Sequence, residues 1–222
     1  MDEATDLFLL ASSERACCGP VRAGCALGIG RAALAQEAGD APFDRAWLID
    51  HAQKLAEQAY EPPVLDVDDA FSELSYDQYR QIRFRQDHRV WAADGLPFTL
   101  DLLPAGFIYQ VPVKVYMVNE GRAVPLASQP DMFEFGEDLQ APEGATLPFS
   151  GIRARFPISQ PDVQDEFLVI QGASYFRAVA AHQTYGLSAR GLAIKTGDPD
   201  GEEFPAFTAL WIERRRRTRA CW

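Results

Sequence analysis

The sequence predicts a mainly β protein, an antiparallel β-sandwich with one N-terminal amphipathic helix. Three observations carry this. Short runs rich in aromatic and β-branched residues recur between Leu74 and Glu213. Gly, Pro, Asn and Asp punctuate them, as at Asn119-Glu120-Gly121 and Asp198-Pro199-Asp200-Gly201. Helical spacing of apolar residues is sustained in only one stretch, near the start. Many short strands with little helix is the pattern of two packed antiparallel sheets.

The elements follow in order. From Phe43 to Tyr60, residues Trp47, Leu48, Leu55, Ala56 and Ala59 fall near helical spacing, with Asp44 placed as a cap and Pro62-Pro63 as a stop. Val64–Leu74 is an acidic connector holding a short helical turn around Asp68–Leu74. Strands are expected over Leu74–Phe84, Phe98–Leu103, Phe107–Val118, Ala123–Ala127, Ile152–Phe156, Glu166–Ile170, Tyr175–Val179, Tyr185–Ile194 and Ala206–Glu213. Ala141–Gly144 and Ser159–Asp165 read as exposed loops. No internal repeat and no linker between two domains stands out.

Composition bounds the function. With 222 residues, 47% of them hydrophobic, the chain has material for one domain of ordinary size with a real core. The net charge is -11 even though arginines accumulate at the C-terminal end, so the body is strongly acidic. That argues against nucleic acid or an anionic membrane as partner. No apolar run reaches the roughly 18 residues a spanning helix needs. The cysteines are Cys17, Cys18, Cys25 and Cys221, all near the two ends, so the body offers neither a disulfide framework nor a thiolate metal site. His51, His88 and His182 are scattered without metal-ligand spacing. Gly28 and Gly30 follow no strand, and Ser188 lacks the glycine frame of a nucleophile elbow. No cofactor and no metal is expected.

Candidate binding residues concentrate in Gln171–Glu213, where rings lie among arginines, carboxylates and glycines without helical periodicity. Rings offer an apolar face to the C–H side of a sugar, while guanidinium and carboxylate groups answer its hydroxyls. In an extended GASYFRA segment, Tyr175 and Arg177 share one face and Phe176 points to the core. The alternative is a surface tyrosine stacked by an arginine. Tyr185 and Arg190 bracket Gly186 and Gly191, which permit either close ligand approach or tight strand packing. Trp91, in RVWAADG, is either an exposed sugar platform or a core indole. The expected binding set is therefore Trp91, Tyr175, Arg177, Tyr185 and Arg190. In an extended strand Tyr76 and Arg80 share one face and Tyr79 and Arg83 the other, so each face reads as a structural cation–π pair. Glu202-Glu203 is an adjacent acidic pair, but neighbours in a strand face opposite ways, so it does not supply the two carboxyl groups of a glycosidase. No catalytic residue is assigned.

Several ordered segments carry a family likeness: LSYDQYRQIRF (Leu74–Phe84), Trp91, PVKVYMV (Pro112–Val118), GASYFRA (Gly172–Ala178), YGLSARGLAI (Tyr185–Ile194), GEEFP (Gly201–Pro205) and WIER (Trp211–Arg214). Together they resemble the periplasmic glucan biosynthesis protein G and D family, over about Phe43 to Arg214. The resemblance implies the N-terminal part of a large galactose-mutarotase-like supersandwich, incomplete here, which in the family precedes an immunoglobulin-like domain. It also implies a periplasmic parent that acts on a β-1,2-linked glucan backbone by hydrolysis or transfer, with its catalytic carboxylates beyond Arg214. The partner so implied is a β-glucan polysaccharide or oligosaccharide, held through the binding set above.

Both ends depart from that likeness. Residues 1–35 contain LFLLASS and a closing Ala33-Leu34-Ala35, the parts of an export signal, but Asp2, Glu3 and Asp6 replace the positive start and SERACCGPVRAGC breaks the apolar run. A degraded leader is expected there, and export is expected of the parent rather than of this chain. Residues 36–213 form the body. Residues 214–222, RRRRTRACW, read as a frameshifted basic tail, with a solvated tail as the alternative. Three functions stay open: part of a glucan-processing protein, a non-catalytic carbohydrate-binding fragment, or the product of a disrupted gene.

Overall fold

The computed structural model describes the backbone of residues 9–14 and, in full, residues 42–137, 139–172, 174–184 and 188–213. Strand β1 (Leu9–Glu14) precedes helix α1 (Arg45–Ala56). Asp44 caps α1 by accepting from the Trp47 N–H at 2.7 Å, and the helix stops short of Tyr60. In the acidic connector, α2 (Asp69–Ser72) is capped by Asp68 and buries Phe71 completely.

One expected strand is replaced. Tyr76–Tyr79 form a short helix, α3, because Ser75 and Gln78 close a capping box. The Ser75 hydroxyl accepts from the Gln78 N–H at 3.3 Å, and the Gln78 carboxamide oxygen accepts from the Ser75 N–H at 2.9 Å. Reciprocal capping outweighs the strand preference of the two tyrosines. Arg80 still stacks on Tyr76, 5.9 Å from the ring centroid, but as helical neighbours four apart rather than along one face of a strand. Only β2 (Arg83–Phe84) of the expected Leu74–Phe84 run is extended.

Strand β3 (Thr99–Pro104) follows a turn in which Trp91 takes a left-handed conformation. The next expected strand begins late, at Lys114: Gly106–Tyr109 form a tight turn with Phe107 at φ 53°, leaving β4 as Lys114–Asn119. A two-residue turn, Glu120-Gly121, with both φ positive, joins β4 to β5 (Arg122–Pro125), the type I′ geometry that suits a twisted hairpin. Then come β6 (Phe133–Glu134), β7 (Phe149–Phe156), β8 (Asp165–Gln171), β9 (Tyr175–Ala178), β10 (Ser188–Arg190) and β11 (Ala206–Glu213).

The strands form a five-stranded antiparallel sheet ordered β10-β9-β8-β7-β3, a four-stranded sheet ordered β1-β11-β4-β5, and a β2-β6 ribbon. One pair departs from the antiparallel expectation: β11 runs parallel to β4. Parallel neighbours need a crossover, and here β5 to β10, including four of the five strands of the other sheet, intervene between them in sequence.

One apolar core draws on both sheets. Leu100 and Leu102 of β3, Ile152 and Ala154 of β7, and Ile170 of β8 meet Val115 of β4 and Leu210 and Ile212 of β11. Burying a side chain of this size stabilises by about 1.5–3 kcal/mol. Val118 of β4, Ala123 of β5, and Ala209 and Trp211 of β11 face outward and are buried beside Trp47 and Leu48 of α1. Trp211 lies 5.2 Å from Tyr116, 5.6 Å from Trp47 and 5.9 Å from Phe43 by ring centroids. The architecture is a β-sandwich with a helix laid on one outer face. Among the described residues, no helix is long and apolar enough to cross a membrane.

Candidate functional site

The other outer face, that of the five-stranded sheet, carries the candidate site. Strand pleat puts successive side chains on opposite sides, so the residues between the core positions form rows across the strands. One row reads Arg190, Tyr175, Gln171 and Gly151 across β10, β9, β8 and β7. The next reads Ser188, Arg177, Val169, Arg153 and Asp101, ending on β3. Phe176 points the other way and packs on the core.

Of the expected binding residues, the structure brings Tyr175, Arg177 and Arg190 together on this face. Arg190 is exposed, and its guanidinium lies 4.2 Å from the Phe204 ring centroid. Directly opposite Arg190 in the ladder, Tyr175 is half-buried. Arg177 donates to Glu166 at 2.8 Å. Trp91 is elsewhere: Val90 bridges Leu100 of β3, the far edge of the sheet, and the Trp91 ring packs against the core. Four strand spacings, roughly 19 Å, separate that edge from β10. Tyr185 lies outside the described residues.

The sequence reading missed the groups that shape this surface. Gln171 sits beside Tyr175 in the row and donates from its amide to the Tyr79 hydroxyl at 2.9 Å and to the Ser150 hydroxyl at 2.8 Å. Both hydroxyls in turn donate to the Pro104 carbonyl, each at 2.7 Å. Burial pushes the Tyr79 phenol up to about 12, against the pull of its bonds to Ser150 and Gln171. The Tyr109 ring lies 5.7 Å from that of Tyr79, tilted by 38°, and against the bare backbone of Gly172, where a Cβ would stand 3.5 Å from the ring. Burial raises the Tyr109 phenol as well, and Tyr175 and Tyr76 add to the rise, so the four tyrosines share one neighbourhood. The legible signal was the glycine in Q-G-A-S-Y: a tight hairpin at Gly172, φ 71°, pairs Gln171 with Tyr175.

Farther along the face the chemistry is ionic. Asp101 accepts from Arg89 at 2.9 Å and from Arg155 at 2.7 Å. Glu166 is paired with Arg153 and Arg177. Both carboxylates are thus engaged by two guanidiniums each, an arrangement that positions strands rather than one that presents an acid to a substrate. Glu202 accepts from the Gly197 N–H at 2.6 Å and Glu203 bridges Ile194, so that pair also serves its loop. Among the described residues no cluster of His, Cys, Asp and Glu is placed to hold a metal ion. The site is a ring-and-guanidinium surface backed by a closed amide, phenol and hydroxyl network, an apolar and cationic surface of the kind that suits polyhydroxylated ligands.

Comparison with known proteins identifies the family. The family described as "Periplasmic glucan biosynthesis protein, MdoG" matches residues 43–221. The chain is 42% identical over 196 residues to Glucans biosynthesis protein G of Bradyrhizobium diazoefficiens, covering 88% of this chain and 39% of that protein. To the protein of the same name in Vibrio cholerae serotype O1 it is 44% identical over 177 residues, 78% of this chain and 32% of the relative. The Rhodopseudomonas palustris (strain BisA53) protein is 44% identical over 174 residues, 78% and 35% respectively. The chain thus spans between about a third and two fifths of the length of these relatives, and over that span it belongs to the MdoG family of periplasmic glucan biosynthesis proteins.

Proposed function

We propose that this chain carries part of the glucan-contacting surface of a periplasmic glucan biosynthesis protein, and that it binds β-1,2-linked glucan without cleaving it. The observation that carries the reading is the row Arg190, Tyr175, Gln171 on one sheet face, with Arg177 in the row beside it. A half-buried ring beside an exposed guanidinium, with the Gln171 carbonyl oxygen in the same row as an acceptor, offers both the apolar and the hydrogen-bonding halves of sugar recognition. The non-catalytic reading is supported by the ionic engagement of Asp101 and Glu166, each held by two guanidiniums among the described residues rather than presented as an acid and base pair.

Calorimetric titration of the folded chain with β-1,2-linked gluco-oligosaccharides tests it. Binding is expected, and Tyr175→Ala is expected to weaken it about tenfold, equivalent to about 1.4 kcal/mol. A flat titration of protein with native near-UV circular dichroism overturns the binding surface. Release of reducing ends by the purified chain overturns the non-catalytic reading instead.

A further inference from the structure

Strand β11 is built as an interior strand. Leu210 and Ile212 are buried in the sandwich core, while Ala209 and Trp211 are buried on the opposite face beneath α1. A strand covered on both faces needs hydrogen-bond partners along both edges, because a backbone N–H or C=O shut away from water must be paired. β4 meets one edge, from Ala209 opposite Lys114 to Glu213 opposite Val118. β1 meets the other, from Leu9 opposite Ile212 to Glu14 opposite Ala206, with a shift in register between Ser12 and Ser13.

The two neighbours differ in origin. β4 and β11 lie inside the family match at 43–221, and β1 lies outside it. Among the described residues, no other strand reaches that edge. The described residues of the matched segment therefore build a strand dry on both faces and leave one of its edges to β1. The relatives are longer than this chain, which spans 39% and 32% of them.

We infer that this edge of β11 is a strand-acceptor site for an extended antiparallel segment, and that Leu9–Glu14 fills it in cis as a displaceable occupant. Recognition of this kind runs through main-chain bonds, so the partner must be extended and free of proline where it donates.

Two measurements on the full chain test this. In the first, Cys17, Cys18, Cys25 and Cys221 are changed to serine and a cysteine pair is introduced by Ser12→Cys with Ala209→Cys. These positions are directly opposite in the ladder. Opposed antiparallel residues stand about 4.5–5.5 Å apart at Cα, within disulfide reach. An intramolecular bond is expected to form under mild oxidation, and Ser12→Cys with Val124→Cys, on β5, is expected to form none. Failure of the first pair, or equal rates for both, overturns the cis assignment.

In the second, Leu10→Pro with Ala11→Pro removes consecutive N–H groups, one of which must face β11. A fluorescein-labelled peptide of residues 7–16 is expected to bind this variant at least tenfold more tightly than the parent chain, in which the cis strand competes. A variant with native near-UV circular dichroism that ignores the peptide overturns the acceptor site, as does equal binding by both chains. Should the variant fail to fold, the disulfide pair alone decides.

Discussion

Replacing Asp101 by alanine probes the physical difference between two similar ion-pair networks on the outer sheet face. The Asp101 side chain is 4% exposed and its partners Arg89 and Arg155 are 17% and 18% exposed. Removing the carboxylate leaves two guanidiniums in a largely dry setting, for which about 3–5 kcal/mol is expected. Glu166 is 19% exposed, but its partners Arg153 and Arg177 are 35% and 38% exposed. Water reaches those arginines when the acid is gone, so Glu166→Ala is expected to cost only about 1 kcal/mol. For a domain of this size the first loss lowers Tm by about 10 °C or more and the second by about 3 °C. Urea denaturation followed by tryptophan fluorescence measures both, with a constant slope as the check that the denatured states are comparable. The combined change Asp101→Leu, Arg89→Met and Arg155→Met removes the orphaned charges and is expected to recover most of the loss. Equal costs for Asp101→Ala and Glu166→Ala, or no recovery in the combined variant, would refute the argument from burial.

Two further changes follow from the neighbourhood of Tyr79. Because burial raises its phenol from 10.0 to about 12, the folded state favours the neutral form; that contribution is complete below pH 10 and is lost as pH climbs toward 12. Tyr79→Phe is therefore expected to cost about 1 kcal/mol at pH 7 through its lost hydrogen bonds, yet to show a shallower alkaline decline. Denaturation curves from pH 7 to 11.5 check this, and parallel declines contradict it. Gly172→Ala meets the Tyr109 ring only at ordinary contact, 3.5 Å, so its cost comes from the left-handed backbone at φ 71°, about 1–2 kcal/mol. A thermal melt that matches the parent protein would contradict that assignment.

Much of the fold was legible in the residues. Local chemistry was enough wherever it was unopposed: Asp44 capping α1, the Glu120-Gly121 turn, and the alternation that sends Phe176 inward while Tyr175 and Arg177 face out. It failed where two local preferences competed. Ser75 and Gln78 turned an aromatic stretch into a helix, and Phe107 at φ 53° delayed β4 to Lys114. In the candidate site, residue types could nominate Tyr175, Arg177 and Arg190, but not Gln171, Tyr79 and Tyr109, whose roles depend on pairing.

What the sequence by itself determined is which side chains each strand offers to each face, because pleat and periodicity are properties of the chain alone. Only the tertiary structure decided which strands lie side by side. It sent Trp91 to the far edge from Arg190, paired β11 with β4 in parallel, and set a strand from outside the family match on the other edge of β11. Those choices rest on hydrogen bonds and burial between segments far apart in sequence, for which no single segment carries a signal.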